Sequence, residues 1–238
     1  MTFHIITLFP SAFKSYLGES ILKRAIEDKK IKVKFYNPRD YTKDKYARVD
    51  RKPYGGGPGM VMQALPVIKA IEKALASSTL QTPNSKQKKK LKAKSYKLTP
   101  KILWLSPRGK QFTNEYARKT AKKYRDLIIV CGRYEGIDAR VRKVFKAEEI
   151  SVGPFVLTGG ELPAMIIVDV ISRQIEGVLG KFESLEEKRV SSRDVYTRPE
   201  VFTHTPPGRG KKTKTYRVPK ILLTGHHRKI EDWKSKRR

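Results

Sequence analysis

The chain has 238 residues and one cysteine, and its 53 Lys and Arg against 23 Asp and Glu give a formal charge of +30. This length fits one large domain or one domain with a small appendage, and the positive excess favours a nucleic acid as partner. Since no apolar run reaches 18 residues and the start lacks a signal-peptide pattern, we expect a cytoplasmic protein without a membrane span. A single cysteine excludes an internal disulfide and argues against a structural zinc site.

The first part of the chain predicts two strands, at residues 3–9 and 31–36, with one helix between them that begins at residue 10 and ends before residue 29. Residues 37–59 are polar and rich in glycine, so we expect neither helix nor strand there. A helix follows at residues 66–76. The insert at about residues 78–101 carries eight lysines and no acid from Lys86 onward, which is typical of an exposed or disordered basic loop.

The second part of the chain alternates strand and helix patterns. Strands are predicted at residues 102–105, 127–131 and 149–152, and helices at 113–124, 138–145 and 162–175. This alternation indicates an α/β body over residues 1–179. Residues 180–194 are charged and predict an interdomain linker, and residues 195–238 predict a small C-terminal domain that ends in a helix from about residue 226. That domain is too small for a sizeable core of its own.

Two glycine-containing loops, at residues 132–138 and 151–163, follow two of the apolar strand candidates. Glycine next to short apolar residues lets a ligand lie against main-chain groups, which suits a flat adenine and a ribose. The chain has no phosphate-binding P-loop, no G-x-G-x-x-G after its first strand and no G-x-S-x-G nucleophile turn. Its four histidines have no spacing that would gather metal ligands, so we assign no protein-bound metal.

Short motifs in a fixed order run through nearly the whole chain. They include Leu8-Phe9-Pro10, residues 37–41, 53–60, 132–138, 159–164 and 177–180, Tyr196-Thr197-Arg198-Pro199, and residues 222–227. In this order they resemble the bacterial tRNA (guanine-N1-)-methyltransferases of the SPOUT class. The resemblance implies an α/β fold with a SPOUT-type deep trefoil knot, a parallel sheet flanked by helices, and a small helical C-terminal domain. It also implies a homodimer that methylates N1 of the guanosine 3′-adjacent to the anticodon of tRNA.

The resemblance further implies S-adenosylmethionine as methyl donor, held by three loops of residues 1–179. Magnesium dependence is also suggested by the family, although no ligand cluster in the sequence identifies a site. The donor-binding residues carried over from the family are Trp104, Leu105, Ser106, Pro107, Gly132, Tyr134, Glu135, Gly136, Val152, Gly153, Pro154, Phe155, Val156, Leu157, Gly159, Gly160 and Pro163. At residues 154 and 155 the family often has Asp and Tyr.

Methylation of N1 requires a base that accepts its proton and a cation near O6. The resemblance places the cation at Arg173. Counting from residue 180 places Lys188 where the family has its aspartate base, and a lysine is a poor base unless its pKa is strongly lowered. We therefore expect Glu187 to act as the base, with Asp194 and then Glu186 as alternatives.

Two other functions stay open at this point. One is a tRNA-binding relative with weakened or absent catalysis, and the other is a SPOUT methyltransferase that acts on another RNA. In either case we expect the basic segments 86–101 and 209–220 to contact the RNA backbone, so that affinity falls steeply with salt. The C-terminal domain is expected to be the tRNA-binding domain.

Overall fold

The computed structural model of the chain describes residues 1–79, 99–179, 194–208 and 211–236. They fall into two compact units, Met1–Gly180 and Lys181–Arg238. No helix in these described ranges is both long and apolar enough to cross a membrane. The lysine-rich stretch 86–97, most of the expected linker and Glu187 lie outside the described residues.

In the first unit the strands are β1 (Thr2–Ile6), β2 (Lys32–Tyr36), β3 (Asp50–Arg51), β4 (Val61–Met62), β5 (Lys101–Gln111), β6 (Asp126–Val130) and β7 (Glu148–Ser151). The helices are α1 (Lys14–Leu17), α2 (Ser20–Glu27), α3 (Ala64–Thr79), α4 (Asn114–Lys123), α5 (Ala139–Phe145) and α6 (Glu161–Ser172). The second unit contains β8 (Val201–His204), β9 (Lys214–Arg217) and α7 (His227–Ser235).

Five strands of the first unit form one parallel sheet in the order β2-β1-β6-β5-β7. The central strands β1 and β6 are buried along their whole length. Strands that are buried on both faces occur where helices cover both sides of a parallel sheet. The prediction of an α/β body with a parallel sheet flanked by helices is therefore confirmed.

Alternate residues of the central strands enter two separate core layers. Phe3 and Ile5 of β1 pack into the layer that receives Leu22 of α2 and Ile167 of α6. Ile6, on the opposite face of β1, belongs to the second layer, which is covered mainly by α3. Because successive side chains of a strand point to opposite faces, a single apolar run supplies both layers.

The prediction of one continuous helix between residues 10 and 29 is wrong. The segment contains a 3-10 helix at Pro10–Phe13, then α1, then α2, which is separated from α1 at Gly18. A Cβ atom on Gly18 would lie 2.6 Å from the carbonyl oxygen of Lys14, and Ser20 has a φ of 50°. The apolar residues still face the core, which explains why their spacing imitates a single helix.

Two further differences concern how far the regular elements extend compared with the predictions. β5 continues beyond the predicted end at residue 105, and residues 37–59 contain a 3-10 helix at Pro38–Tyr41 together with β3, which pairs antiparallel with β4. The glycines of this segment have left-handed φ angles, including 87° at Gly55 and 106° at Gly57. This part of the segment is irregular because only glycine adopts such angles readily.

The second unit is not purely helical, contrary to the expectation. Its β8 and β9 form an antiparallel hairpin, followed by a 3-10 helix at Lys220–Leu223 and by α7. The strands were missed because each has only four residues, and five of these eight residues are Thr, His, Lys or Arg, so no apolar alternation marks them. None of the described residues of this unit is buried, and the rings of Tyr196 and Trp233 meet at 6.2 Å between centroids.

Candidate functional site

A cleft of about 530 Å³ opens at the carboxyl ends of β5, β6 and β7, where open α/β sheets bind their ligands. This volume lies within the usual range for small-molecule sites. All the predicted donor-binding residues line the cleft except Pro154, which is exposed within the same loop. The residues brought together are Trp104, Leu105, Ser106, Pro107, Gly132, Tyr134, Glu135, Gly136, Val152, Gly153, Phe155, Val156, Leu157, Gly159, Gly160 and Pro163.

The loop after β6 is held in an unusual backbone conformation. Tyr134 has a φ of 59° and Gly136 a φ of 126°, where an added Cβ would meet nothing within 4 Å. The Glu135 N–H donates to the carbonyl of Met60 at 3.0 Å, and the Met62 N–H donates to the carbonyl of Gly136 at 2.9 Å. These bonds fix the loop against the glycine-rich segment, so its main chain is positioned before any ligand binds.

The same loop packs closely on the start of α6. The Gly160 N–H donates to the carbonyl of Gly132 at 2.9 Å. A Cβ on Gly160 would lie 2.6 Å from the Cα of Cys131, far inside ordinary carbon contact distances. Cys131 itself is buried, and burial raises the pKa of its thiol well above the ordinary value, with a further contribution from Glu161. The thiol therefore packs as a neutral core group.

A buried ion pair joins two of the cleft loops. Glu161, only 3% exposed, accepts a hydrogen bond from the Thr7 hydroxyl at 2.7 Å and lies 2.8 Å from Nε of Arg133. Nη1 of Arg133 donates to the carbonyl of Thr158 at 3.2 Å, and its guanidinium lies 4.7 Å from the ring centroid of Phe9. Arg133 therefore connects the loop after β6 to the loop before α6.

The loop after β7 presents apolar side chains at the mouth of the cleft. The Ser151 hydroxyl donates to the carbonyl of Gly153 at 2.9 Å and begins a tight turn. The Phe155 ring lies so close to Gly153 that an added Cβ would be 2.2 Å from it. Phe155 and Val156 are 50% and 83% exposed. Such exposure is typical of side chains that bury on a ligand or a partner.

Charged groups of both signs border the cleft. Arg142 and Glu149 form an ion pair at its rim, and both residues line it. The carboxylate of Glu135 lies against the glycine-rich segment, where a Cβ on Gly59 would be 2.5 Å from Glu135 Oε1. The cleft can therefore receive a ligand that carries both a cationic and an anionic group.

Several cleft residues were missed at the level of sequence. Most of them directly flank predicted positions, so the motif itself was the available signal. Arg133 lies inside the first glycine loop, and its pairing with Glu161 cannot be read from spacing. Arg133, Ile137, Ser151 and Thr158 lie within the two predicted glycine loops, and the lining residues outside those loops are Arg108, Ala139, Arg142, Glu149 and Ile150.

Of the three predicted catalytic residues, only Arg173 belongs to the described part of the first unit, and it does not line the cleft. Arg173 caps the C-terminal end of α6, with its N–H bonded to the carbonyl of Asp169 at 3.0 Å. It follows Glu161 by 12 residues, which is roughly 18 Å along a helix, and it does not line the cleft. Asp194 is exposed in the second unit, and Glu187 is outside the described residues. Their catalytic roles stay predictions.

Next to Arg173, the Tyr16 hydroxyl donates to Asp169, and this hydrogen bond raises the pKa of Tyr16.

Within the ranges that the structure describes, no three His, Cys, Asp or Glu side chains group closely enough to hold a metal ion. The site as described therefore consists of backbone loops, apolar walls and a few charged side chains.

Comparison with known proteins gives a consistent result over the full length. The family model described as tRNA (Guanine-1)-methyltransferase TrmD matches residues 1–238. A protein of Clostridioides difficile (strain 630) is 39% identical over 238 residues, covering 98% of this chain and 90% of that protein. Proteins of Caldanaerobacter subterraneus subsp. tengcongensis and Thermomicrobium roseum are each 43% identical, over 98% of this chain and 85% and 77% of their own lengths. All three are named tRNA (guanine-N(1)-)-methyltransferase.

Proposed function

Since this chain belongs to the tRNA (guanine-1)-methyltransferase family, we propose that it methylates N1 of a guanine in tRNA with S-adenosylmethionine as donor. The target is the guanosine 3′-adjacent to the anticodon, and the reaction takes place in the cytoplasm. The observation that carries this proposal is the cleft, which three loops form at one sheet edge in a chain that the family matches throughout.

The residues of the cleft fit this donor. Trp104 and Leu105 are half-buried and offer apolar walls to an adenine. Gly136 has no side chain, and the space that its side chain would occupy is open. The carboxylate of Glu135 suits an ammonium or sulfonium charge, whereas Glu149 is already paired with Arg142. When bound, S-adenosylmethionine supplies a methyl group activated by its attachment to a positively charged sulfur.

The remaining chemistry belongs to side chains of this protein. Guanine N1 carries a proton, so a carboxylate has to accept it, and we assign that role to Glu187 with Asp194 as alternative. The role of stabilising the negative charge that develops on O6 is assigned to Arg173, which does not line the cleft of its own chain and therefore needs the dimer proposed below to reach the base. Magnesium has no assigned ligands among the described residues, and no step is attributed to it.

A homodimer would explain why the first unit alone does not complete the site. α6 presents Leu162 and Ile166, which are 52% and 36% exposed and lie one turn apart on the same face. Phe9 and Tyr16 are also exposed, at 40% and 48%. A second copy that packs on α6 would cover these apolar side chains. Sedimentation should therefore find a dimer for the wild type and a monomer for Leu162→Glu.

The connection between β5 and β7 supports the proposal of a trefoil knot. Leu105 and Lys110 both pair with Ile150, so the register of β5 against β7 shifts and the four residues between them are extra to the pairing. A Cβ on Gly109 would lie 2.4 Å from the backbone nitrogen of Ile150. This close approach of the two backbones is compatible with a threaded chain, which would depart from the usual absence of knots.

The test of the proposed reaction uses the full chain, an unmodified tRNA transcript and S-adenosylmethionine with a labelled methyl group. We expect label in 1-methylguanosine, and none in a matched transcript with adenosine at the position 3′ of the anticodon. Single-turnover rates of Glu187→Gln and Asp194→Asn then test the base. Full rates in both variants would contradict both assignments.

The two rival functions give different results in the same assay. A tRNA-binding relative without catalysis would bind the transcript and transfer no label, and an enzyme for another RNA would label only that RNA. Deletion of residues 86–97 tests the contribution of the basic insert to tRNA binding. We expect weaker binding and a smaller salt dependence, because fewer phosphates are neutralised.

A further inference from the structure

The hairpin of the second unit places two aromatic rings on one of its faces. β8 and β9 pair antiparallel with Phe202 opposite Tyr216 and His204 opposite Lys214. Residues two apart along a strand share a face, so these four side chains form one surface. We call this surface, made of Phe202, Tyr216, His204 and Lys214, the aromatic face of the hairpin.

The two rings are stacked and still exposed. Their centroids lie 5.2 Å apart, their planes are 19° from parallel, and the side chains are 54% and 45% exposed. The opposite face of the hairpin carries Thr203 and Thr215, which are also exposed. The hairpin therefore does not use its aromatic rings to cover a core of its own, although large apolar rings gain most from burial.

The charge around the rings favours a polyanion. From residue 201 to residue 217 the chain carries five Lys and Arg and no Asp or Glu. Lys214 stands on the aromatic face itself, and Arg217 closes β9. Aromatic rings next to cationic side chains are the combination that binds single-stranded nucleic acid, since bases stack on the rings and phosphates pair with the cations.

We infer that the aromatic face binds an unpaired nucleobase of the RNA substrate, which stacks on the Phe202–Tyr216 pair while Lys214 contacts a neighbouring phosphate. This inference rests on the proposed function for the identity of the RNA. It adds a base-stacking site in the second unit, independent of the donor cleft. The positive charge argues for RNA and against a basic or neutral protein surface as the occupant.

The test measures the affinity of the full chain for an unmodified tRNA transcript over a range of salt concentrations. The double variant Phe202→Leu with Tyr216→Leu keeps apolar volume and removes both rings. We expect it to weaken binding about tenfold or more at every salt concentration. The slope of log affinity against log salt concentration should stay unchanged, because no cation is removed. The matched control is Thr203→Ser with Thr215→Ser on the opposite face, for which we expect wild-type affinity.

A second variant separates stacking from charge. Replacing Lys214 by Gln should reduce the slope of log affinity against log salt concentration by about 0.7, the contribution of one single-stranded phosphate contact, and replacing Lys211 and Lys212 as well should reduce it by up to about 2. Tyr216→Phe retains the ring and should keep wild-type affinity. If the leucine variant unfolds the hairpin, ultraviolet cross-linking of the wild type to the transcript still tests whether the two rings contact RNA. We expect nucleotide adducts on Phe202 or Tyr216, mapped by mass spectrometry.

Three results would overturn the inference. They are wild-type RNA affinity in a folded leucine variant, adducts that avoid both rings, and a change of oligomeric state in place of RNA affinity. The last would identify the rings as a contact between chains. If the wild type binds RNA through the two rings but transfers no methyl group, the proposed reaction is contradicted. The inference of a stacking site is then still supported.

Discussion

Replacement of Gly160 by alanine tests the close contact between α6 and the end of β6. The new Cβ would lie 2.6 Å from the Cα of Cys131 and 2.9 Å from the backbone nitrogen of Gly132. Carbon atoms pack at about 3.5–4.0 Å, so the two backbones must separate by about 1 Å. Both neighbours are main chain at the end of a buried strand, and neither can move aside as a flexible side chain could. Overpacking of this kind costs about 1–3 kcal/mol.

Gly132→Ala is the matched control, because it makes the same chemical change in the same contact. Its Cβ would lie 3.6 Å from Cγ1 of Ile137, an ordinary van der Waals distance, and Gly132 has no left-handed φ. We expect this variant to change the free energy of unfolding by less than about 1 kcal/mol, since Gly→Ala restricts the unfolded chain. Urea unfolding of the two variants beside the wild type measures the difference.

The same displacement should affect catalysis by Gly160→Ala. A shift of about 1 Å in a group that positions substrate can lower a rate about 100-fold, so we expect a slow single turnover even where the variant is fully folded. Equal unfolding free energies for the two alanine variants would refute this reasoning, because they would show that the loops separate without cost.

Three other predictions concern single groups. Arg133→Gln should destabilise the protein by roughly 2 kcal/mol in urea unfolding, because it leaves the buried Glu161 carboxylate without its cation, and Glu161→Gln in the same chain should restore part of the loss. Arg48 lowers the pKa of Asp44 to about 2, so the stability that this pair contributes is complete above pH 4 and lost as the pH falls towards 2. Carbon NMR of the Asp44 carboxyl group should give a titration midpoint near this pKa. A pKa of Asp44 that is unchanged in Arg48→Gln would contradict the assignment of the shift to Arg48. Cys131 should resist a thiol reagent at pH 8 until the protein is unfolded, since burial raises its pKa; rapid labelling of the folded chain would count against that.

Much of the first unit could be predicted from local patterns. The apolar run of β6 and the helical spacing of α6 identify buried elements, because each pattern follows from the geometry of one strand or one helix. The two glycine loops were placed correctly at strand ends for the same reason. Where the pattern was weak, as in the short and mostly polar strands of the hairpin, the elements were missed.

The partners of individual side chains could not be predicted in this way. Thr7 and Glu161 are 154 positions apart and meet through a hydrogen bond, and Arg133 joins them from a third loop. The register shift of residues 105–110 at Ile150 likewise depends on how two strands that are distant in the chain pair with each other. Composition and periodicity describe neighbours along the chain and carry no information on such contacts.

The sequence by itself determined the α/β alternation, the strong positive charge and the family to which the chain belongs, because each follows from residues read in order. Only the tertiary structure decided that three loops face one cleft, that Arg173 lies at the far end of α6 from it, and that two rings stack on an exposed hairpin. Such arrangements arise when the parallel sheet brings together strand ends that are far apart in the chain, and burial of the shared core holds them there.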